Sequence, residues 1–168
     1  MKLRPYEKAD ATYIMQWITN ERVHAMWSAG KLPYGFLEEE LQALLEAEAQ
    51  AYHQKAYIAV SDSNVPIGSF CMNFNAQDNS VFMCRIIVDE KERGKGYGYQ
   101  MLTEALSLAF TTMDADCVRL SVFDCNMPAR RTYEKVGFQE ESFCADAFSF
   151  KEEKWGRYIL KAEKGIVV

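Results

Sequence analysis

The sequence predicts a mixed α+β fold: a mostly antiparallel, twisted central sheet of about seven strands, with helices on both faces. Three observations carry this reading. Strand-like runs at 56–60, 67–74 and 81–88 follow one another with only polar turns between them, as in an antiparallel meander. The run 81–88 is apolar except for Arg85, which fits a central strand covered on both faces. The proline-free stretch 96–113 and the run 117–123 then complete a strand–helix–strand unit, whose right-handed crossover makes one parallel pair.

Lys2 to Tyr6 reads as a short opening strand that Pro5 ends. Asp10 can cap a helix over 11–19, where Tyr13, Ile14, Trp17 and Ile18 keep helical spacing. Residues 20–35 contain Gly30, Pro33 and Gly35 and read as briefly helical, then as a loop. A loop of that length in a compact domain points to function. A second helix covers 36–52, with Leu37, Leu41, Leu44, Leu45 and Glu48 on one face. Glu38, Glu39 and Glu40 in its first turn suit the helix dipole as a solvated start. The helix at 96–113 is expected to bury Tyr99, Leu102, Leu106, Ala109 and Phe110. Pro128 and Gly137 bound a further helix, and strand-like runs at 142–150 and 154–162 follow it.

A chain of 168 residues, 49% apolar, suits one domain over 1–168 with a sizeable core. Net charge is −5 and basic residues are interspersed with acidic ones, which argues against a nucleic-acid binder. No apolar run reaches membrane-spanning length, and Met1-Lys2-Leu3-Arg4-Pro5 lacks the apolar core of a signal peptide. The five cysteines are an odd number without a CxxC pair, so a reducing, cytoplasmic setting with free buried thiols is expected. His24 and His53 lack ligand spacing, so no metal is expected.

The stretch 88–98 carries the clearest chemistry. Gly94, Gly96 and Gly98 sit at alternate positions between a strand and a helix, with Arg93 and Lys95 beside them. Glycine lets backbone approach a ligand, and a helix start offers unpaired N–H groups and a positive dipole end. Together these suit a pyrophosphate cradle, with a glycine-rich turn that only links strand to helix as the competing reading. A Walker A loop is excluded, since Gly96 is followed by Tyr97, and the glycine spacing is wrong for a dinucleotide fingerprint.

Arg93-Gly94-Lys95-Gly96-Tyr97-Gly98 matches the R/Q-x-x-G-x-G/A acyl-CoA signature of the GNAT family of N-acetyltransferases. The stretch from Asn126 through Ala129 and Tyr133 to Gly137-Phe138 resembles that family's second motif. Leu3-Arg4-Pro5 and the segment after the first helix resemble the branch that includes ribosomal-protein N-terminal acetyltransferases and small-molecule acetyltransferases. The resemblance implies a sheet whose one parallel pair splays to hold acyl-CoA, and acetyl-CoA as acyl donor. It implies that Arg93 to Gly98 wrap the pyrophosphate, and that Ile86, Ile87 and Val88 pair with the pantetheine arm. A backbone N–H at or near Val88 would polarise the thioester carbonyl. Asn126 and Ala129 would contact the arm, although Asn126 also suits a helix cap. Tyr133 would hydrogen-bond or protonate the leaving thiolate.

The acceptor implied is a small-molecule amine or a peptide or protein N-terminus. Glu21, His24, Trp27 and Tyr34 are its candidate contacts, with ordinary packing as the competing role of the aromatics. Many family members use a carboxylate on the central strand as general base; here Cys84 and Arg85 stand there, so no base is assigned on that strand, and Glu21 and His24 are candidates for a base as well as for contact. That departure motivates an alternative, a non-catalytic CoA-binding sensor or scaffold. The resemblance leaves monomer or homodimer open.

Overall fold

A computed structural model describes residues 1–165. Its strands are β1 (Lys2–Pro5), β2 (Lys55–Val60), β3 (Pro66–Asn75), β4 (Ser80–Val88), β5 (Cys117–Phe123), β6 (Gln139–Phe150) and β7 (Glu153–Glu163). They form one sheet in the order β1-β2-β3-β4-β5-β7-β6. Among the described residues only β4 and β5 run parallel. The helices are α1 (Ala11–Trp17), α2 (Glu21–Ser28), α3 (Glu38–Tyr52), α4 (Tyr97–Ser107) and α5 (Met127–Val136). No helix among the described residues is long and apolar enough to cross a membrane.

The central strands are apolar on both sides because both sides are covered. On one, Met101, Leu102 and Leu106 of α4 and Tyr133 and Val136 of α5 pack on Phe70, Met72, Met83, Val118 and Leu120. On the other, Ile14, Trp17, Trp27, Leu41 and Leu45 pack on Ile58, Val60, Cys71 and Ile87. Each fully buried aliphatic or aromatic side chain contributes about 1.5–3 kcal/mol. A smaller cluster of Ala25, Phe123 and Trp155 joins α2 to the β5–β7 region.

Several expectations change in detail. Asp10 does not cap α1: its carboxylate takes two hydrogen bonds from Arg4 (2.7 and 2.7 Å) and one from the Glu7 amide (2.8 Å). A buried carboxylate next to a guanidinium is worth more as an ion pair than as a cap. Residues 21–28 are a full helix, started by the Asn20 side chain accepting from the Val23 amide (3.0 Å). Leu37 is the exposed residue before α3 rather than part of its buried face, and the Glu40 carboxylate accepts from its amide (2.7 Å). The helix from Gly96 is α-helical only to Ser107, and then widens into a π turn over Leu108–Thr112. Tyr99 is exposed rather than buried, with the Lys135 ammonium over its ring. The buried stripe runs instead through Met101, Leu102, Ala105, Leu106, Ala109 and Phe110.

Candidate active site

The parallel ladder of β4 and β5 begins at Ser80↔Cys117 and ends at Met83↔Leu120. Beyond that point the strands have no paired register. The end of β4, Cys84 to Val88, therefore borders a gap rather than a neighbour, and a long extended ligand can pair with it. At the top of the gap the chain turns through Gly94 (φ 75°) and Gly96 (φ 85°) into α4. Both glycines are left-handed, which any side chain would resist, and a Cβ on either would meet nothing within 4 Å. The first bond of α4 runs from the Gln100 amide to the Gly96 carbonyl (3.0 Å). The amides of Tyr97, Gly98 and Tyr99 are left at the helix start, where an anion is stabilised.

Arg93 and Lys95 flank this turn. Arg93 Nε donates to the Val88 carbonyl (3.2 Å), tying the loop back to the strand end, and Lys95 pairs with Glu92 (3.0 Å). Gly68 of β3 lies beneath: a Cβ there would stand 2.8 Å from the Ile87 carbonyl. That glycine escaped the sequence reading, although an isolated glycine inside a strand signals close backbone approach. Ile86 and Val88 pack on the α4 side and Ile87 on the α1–α3 side.

Across the gap stands α5. The Asn126 side chain accepts from the Ala129 amide (3.4 Å) and so caps α5, the competing role expected of it; Ala129 is partly buried in the first turn. Tyr133 lies one turn on, with its ring 6.2 Å from that of Phe138 at a steep angle. It is 7% exposed. Burial pushes the phenol's pKa well up, because the phenolate would be desolvated.

The remaining candidates lie on α2 and the loop after it. Glu21 pairs with Lys151 of the β6–β7 turn (2.8 Å). Arg22 beside it bonds Glu153 (2.7 Å) and lies 5.0 Å from the Trp155 ring centroid. These contacts pin α2 to the β6–β7 hairpin. His24 is buried against Tyr34 and Phe36, with ring centroids at 5.6 and 5.9 Å, and its Nε2 has no partner among the described residues. Burial lowers its pKa, with Glu21 opposing the shift. Trp27 is buried, stacks on Phe36 and donates from Nε1 to the Arg85 carbonyl (3.1 Å). Tyr34 is exposed. Trp27 thus has a structural bond of its own, while Tyr34 remains open to a ligand.

Sequence reasoning missed one constellation entirely. Arg85 is buried and forms a two-point ion pair with Glu48 of α3 (2.5 and 2.7 Å). Its Nη1 also donates to Gln54 Oε1 (3.2 Å), which accepts from the Cys84 thiol (3.5 Å) as well. Two signals were available: Glu48 is the one charge on the face of α3 that the leucines define, and Arg85 the one charge in an apolar strand. No group of three or more His, Cys, Asp or Glu side chains among the described residues is arranged to hold a metal.

Comparison with known proteins fits this geometry. The "Acetyltransferase (GNAT) family" pattern matches residues 11–138. Spermidine N(1)-acetyltransferase of Vibrio cholerae is 24% identical over 159 residues, covering 94% of this chain and 87% of that protein. An uncharacterized prophage-derived N-acetyltransferase of Bacillus subtilis is 31% identical over 85 residues, covering 51% of this chain but only 48% of its own length. In fold, the Vibrio cholerae spermidine N-acetyltransferase solved with CoA and spermine superposes with a TM-score of 0.85 at 22% identity, over 98% of this chain and 96% of that one. With the splayed β4–β5 pair, the glycine turn and the family pattern in agreement, this chain belongs to the acetyltransferase (GNAT) family.

Proposed function

We propose that this chain transfers the acetyl group of acetyl-CoA to a primary amine by direct attack in a ternary complex, and that the amine is carried by a polyamine. One arrangement carries the reading: a strand end on β4 whose edge toward β5 is unpaired, with an anion-binding helix start at its top and the buried Tyr133 phenol across the gap. The amides of Gly94 to Gly98 and the Arg93 guanidinium suit the pyrophosphate, and the edge Ile86 to Val88 suits the amide-bearing pantetheine arm. Acetyl-CoA supplies an activated acyl group. The neutral amine nitrogen bonds to the thioester carbon, the C–S bond breaks, and an N-acetyl amine and CoA thiol result. A strand-end amide steadies the carbonyl oxygen as charge develops. Tyr133, held protonated by burial, donates a hydrogen bond to the departing sulfur.

The polyamine assignment draws on the relatives that act on spermidine and on the chain's net charge of −5, which gives its surface an acidic excess. A cation is steered toward such a surface. The resemblance to ribosomal-protein acetyltransferases makes a protein N-terminus the second acceptor class. A panel of spermidine, spermine, amino acids and N-terminal peptides, assayed by released thiol, tests both. Turnover on spermidine well above that on peptides is expected; the reverse order would replace the acceptor. Binding of acetyl-CoA without transfer to any amine would leave a CoA sensor or scaffold.

A further inference from the structure

We infer that the buried Glu48–Arg85 ion pair is a positioning device for the thioester site, one that fixes the backbone of β4 where the acetyl group would sit; the inference rests on the acetyl transfer proposed above. Along β4 the side chains do not alternate regularly. Met83 packs on the α4 side and Cys84 on the α1–α3 side. Arg85 then turns toward α3 as well, and from there the alternation is inverted, with Ile86 and Val88 on the α4 side and Ile87 on the other. The cause is one extra residue. Between Cys71↔Cys84 and Ser69↔Ile87, β4 spends two residues, Arg85 and Ile86, opposite the single Phe70. This is a β-bulge, and it decides which way every later amide and side chain of the strand faces.

Arg85 makes the bulge with φ at 50°, a left-handed conformation that glycine takes readily and a long side chain resists. Three contacts hold it there, each from a different part of the chain. Glu48 of α3 grips the guanidinium at two points, 2.5 and 2.7 Å. Gln54, after α3, accepts from Nη1 at 3.2 Å. Trp27 of α2 donates to the Arg85 carbonyl at 3.1 Å. The bulge lies two residues past the last β4–β5 pair, at the mouth of the gap.

The chemistry of the pair supports a geometric role. A buried ion pair costs desolvation, and apolar residues of the same volume often serve stability as well. A charge-assisted hydrogen bond from Arg85 Nη2 to Glu48 Oε1 (2.7 Å), with a second bond from Nη1 to Gln54 (3.2 Å), by contrast, fixes where the guanidinium sits. Reactions that depend on a preorganised donor are sensitive to displacements of that donor.

The test measures three things on the whole chain: CoA affinity by calorimetry, kcat and KM with spermidine, and the infrared carbonyl stretch of bound acetyl-CoA carrying a 13C carbonyl. In Glu48→Gln, CoA affinity is expected to stay near wild type, since the pyrophosphate cradle is separate. Turnover should fall by about 10²-fold, and the carbonyl stretch should move back toward its free value. A second comparison isolates the backbone. Glu48→Gln with Arg85→Gly, which still permits the left-handed bulge, should turn over about tenfold faster than Glu48→Gln with Arg85→Met. If Glu48→Gln fails to fold, Trp27→Phe decides, because it keeps an aromatic ring against Phe36 while removing the donor to the Arg85 carbonyl; a lower kcat with a shifted carbonyl stretch is expected there. Wild-type turnover and an unmoved carbonyl stretch in the folded variants overturn the inference alone. A wild-type chain that neither binds acetyl-CoA nor releases thiol removes the proposed function and the inference together.

Discussion

The α4–α5 side of the sheet and the α2–α3 side are built from different materials. On the first, the features that suit a ligand are main-chain ones: left-handed Gly94 and Gly96, free amides at the start of α4, and a strand end unpaired toward β5. They come from stretches that are short and continuous in sequence. On the second, side chains far apart in sequence meet: Glu21 with Lys151, Arg22 with Glu153, Trp27 with the Arg85 carbonyl, Glu48 with Arg85. Backbone chemistry suits a ligand part common to all acyl-CoA molecules. Side-chain chemistry is free to vary, and suits the choice of acceptor and the setting of the strand.

Replacing Tyr133, the side chain proposed to meet the departing sulfur, gives the largest expected effect. Tyr133→Phe should lower kcat by about 10²-fold or more, with CoA affinity unchanged, as stopped-flow thiol release and calorimetry would read. Turnover near wild type would take Tyr133 out of the reaction and leave it a packing residue against Phe138. Gly96→Val comes next. A branched residue in the left-handed region costs about 1–2 kcal/mol, so CoA should bind about tenfold more weakly, with the acceptor KM little changed. A variant that binds CoA normally would show that the turn relaxes without loss, and would weaken the contrast between the two sides.

What was legible in the sequence follows the same division. Glycine spacing, a helix start and the Asn126 to Phe138 stretch are local signals, so the donor side could be read from one window of chain. The parallel pair also followed from local reasoning, through the crossover that strand, helix and strand require. The bulge at Arg85 did not: alternation predicts facing only while the register is regular, and one extra residue inverts it. Glu48 and Arg85 were each visible as a lone charge on an apolar surface. Pairing them needs the fold, because 37 residues separate them in the chain. Asp10 and Tyr99 were misjudged for a related reason. Arg4 and Lys135 captured them, and neither partner lies where cap or helix-face rules look.

The acceptor side can be tested more gently. Arg22 holds the β6–β7 hairpin to α2 through Glu153 and through the faces of Trp155 and Phe150. Arg22→Ala should raise the acceptor KM by a few-fold and leave CoA affinity alone, while stability changes little because the ion pair is exposed and screened. A change in CoA affinity instead would mean that the hairpin also shapes the donor gap.

The smallest expected effect is one of pH, and it reports on the same helix. His24 is buried among Tyr34, Phe36 and its own helix, and burial lowers its pKa below the ordinary value of about 6.5. Glu21, the acidic group at the start of α2, pulls the other way but does not prevail. As pH falls through the unfolded value, the unfolded chain takes up a proton that the folded chain still refuses. Stability is therefore complete above that value and declines below it, until the folded pKa is reached. His24→Phe keeps the aromatic packing and removes the proton. Thermal unfolding followed from neutral to mildly acidic pH should show a shallower fall for the variant than for the wild type. Equal slopes would mean that His24 binds protons alike in the folded and unfolded chain; a steeper fall for the variant would mean that His24 is charged in the fold, and a cation there would make α2 a poor surface for a polyamine.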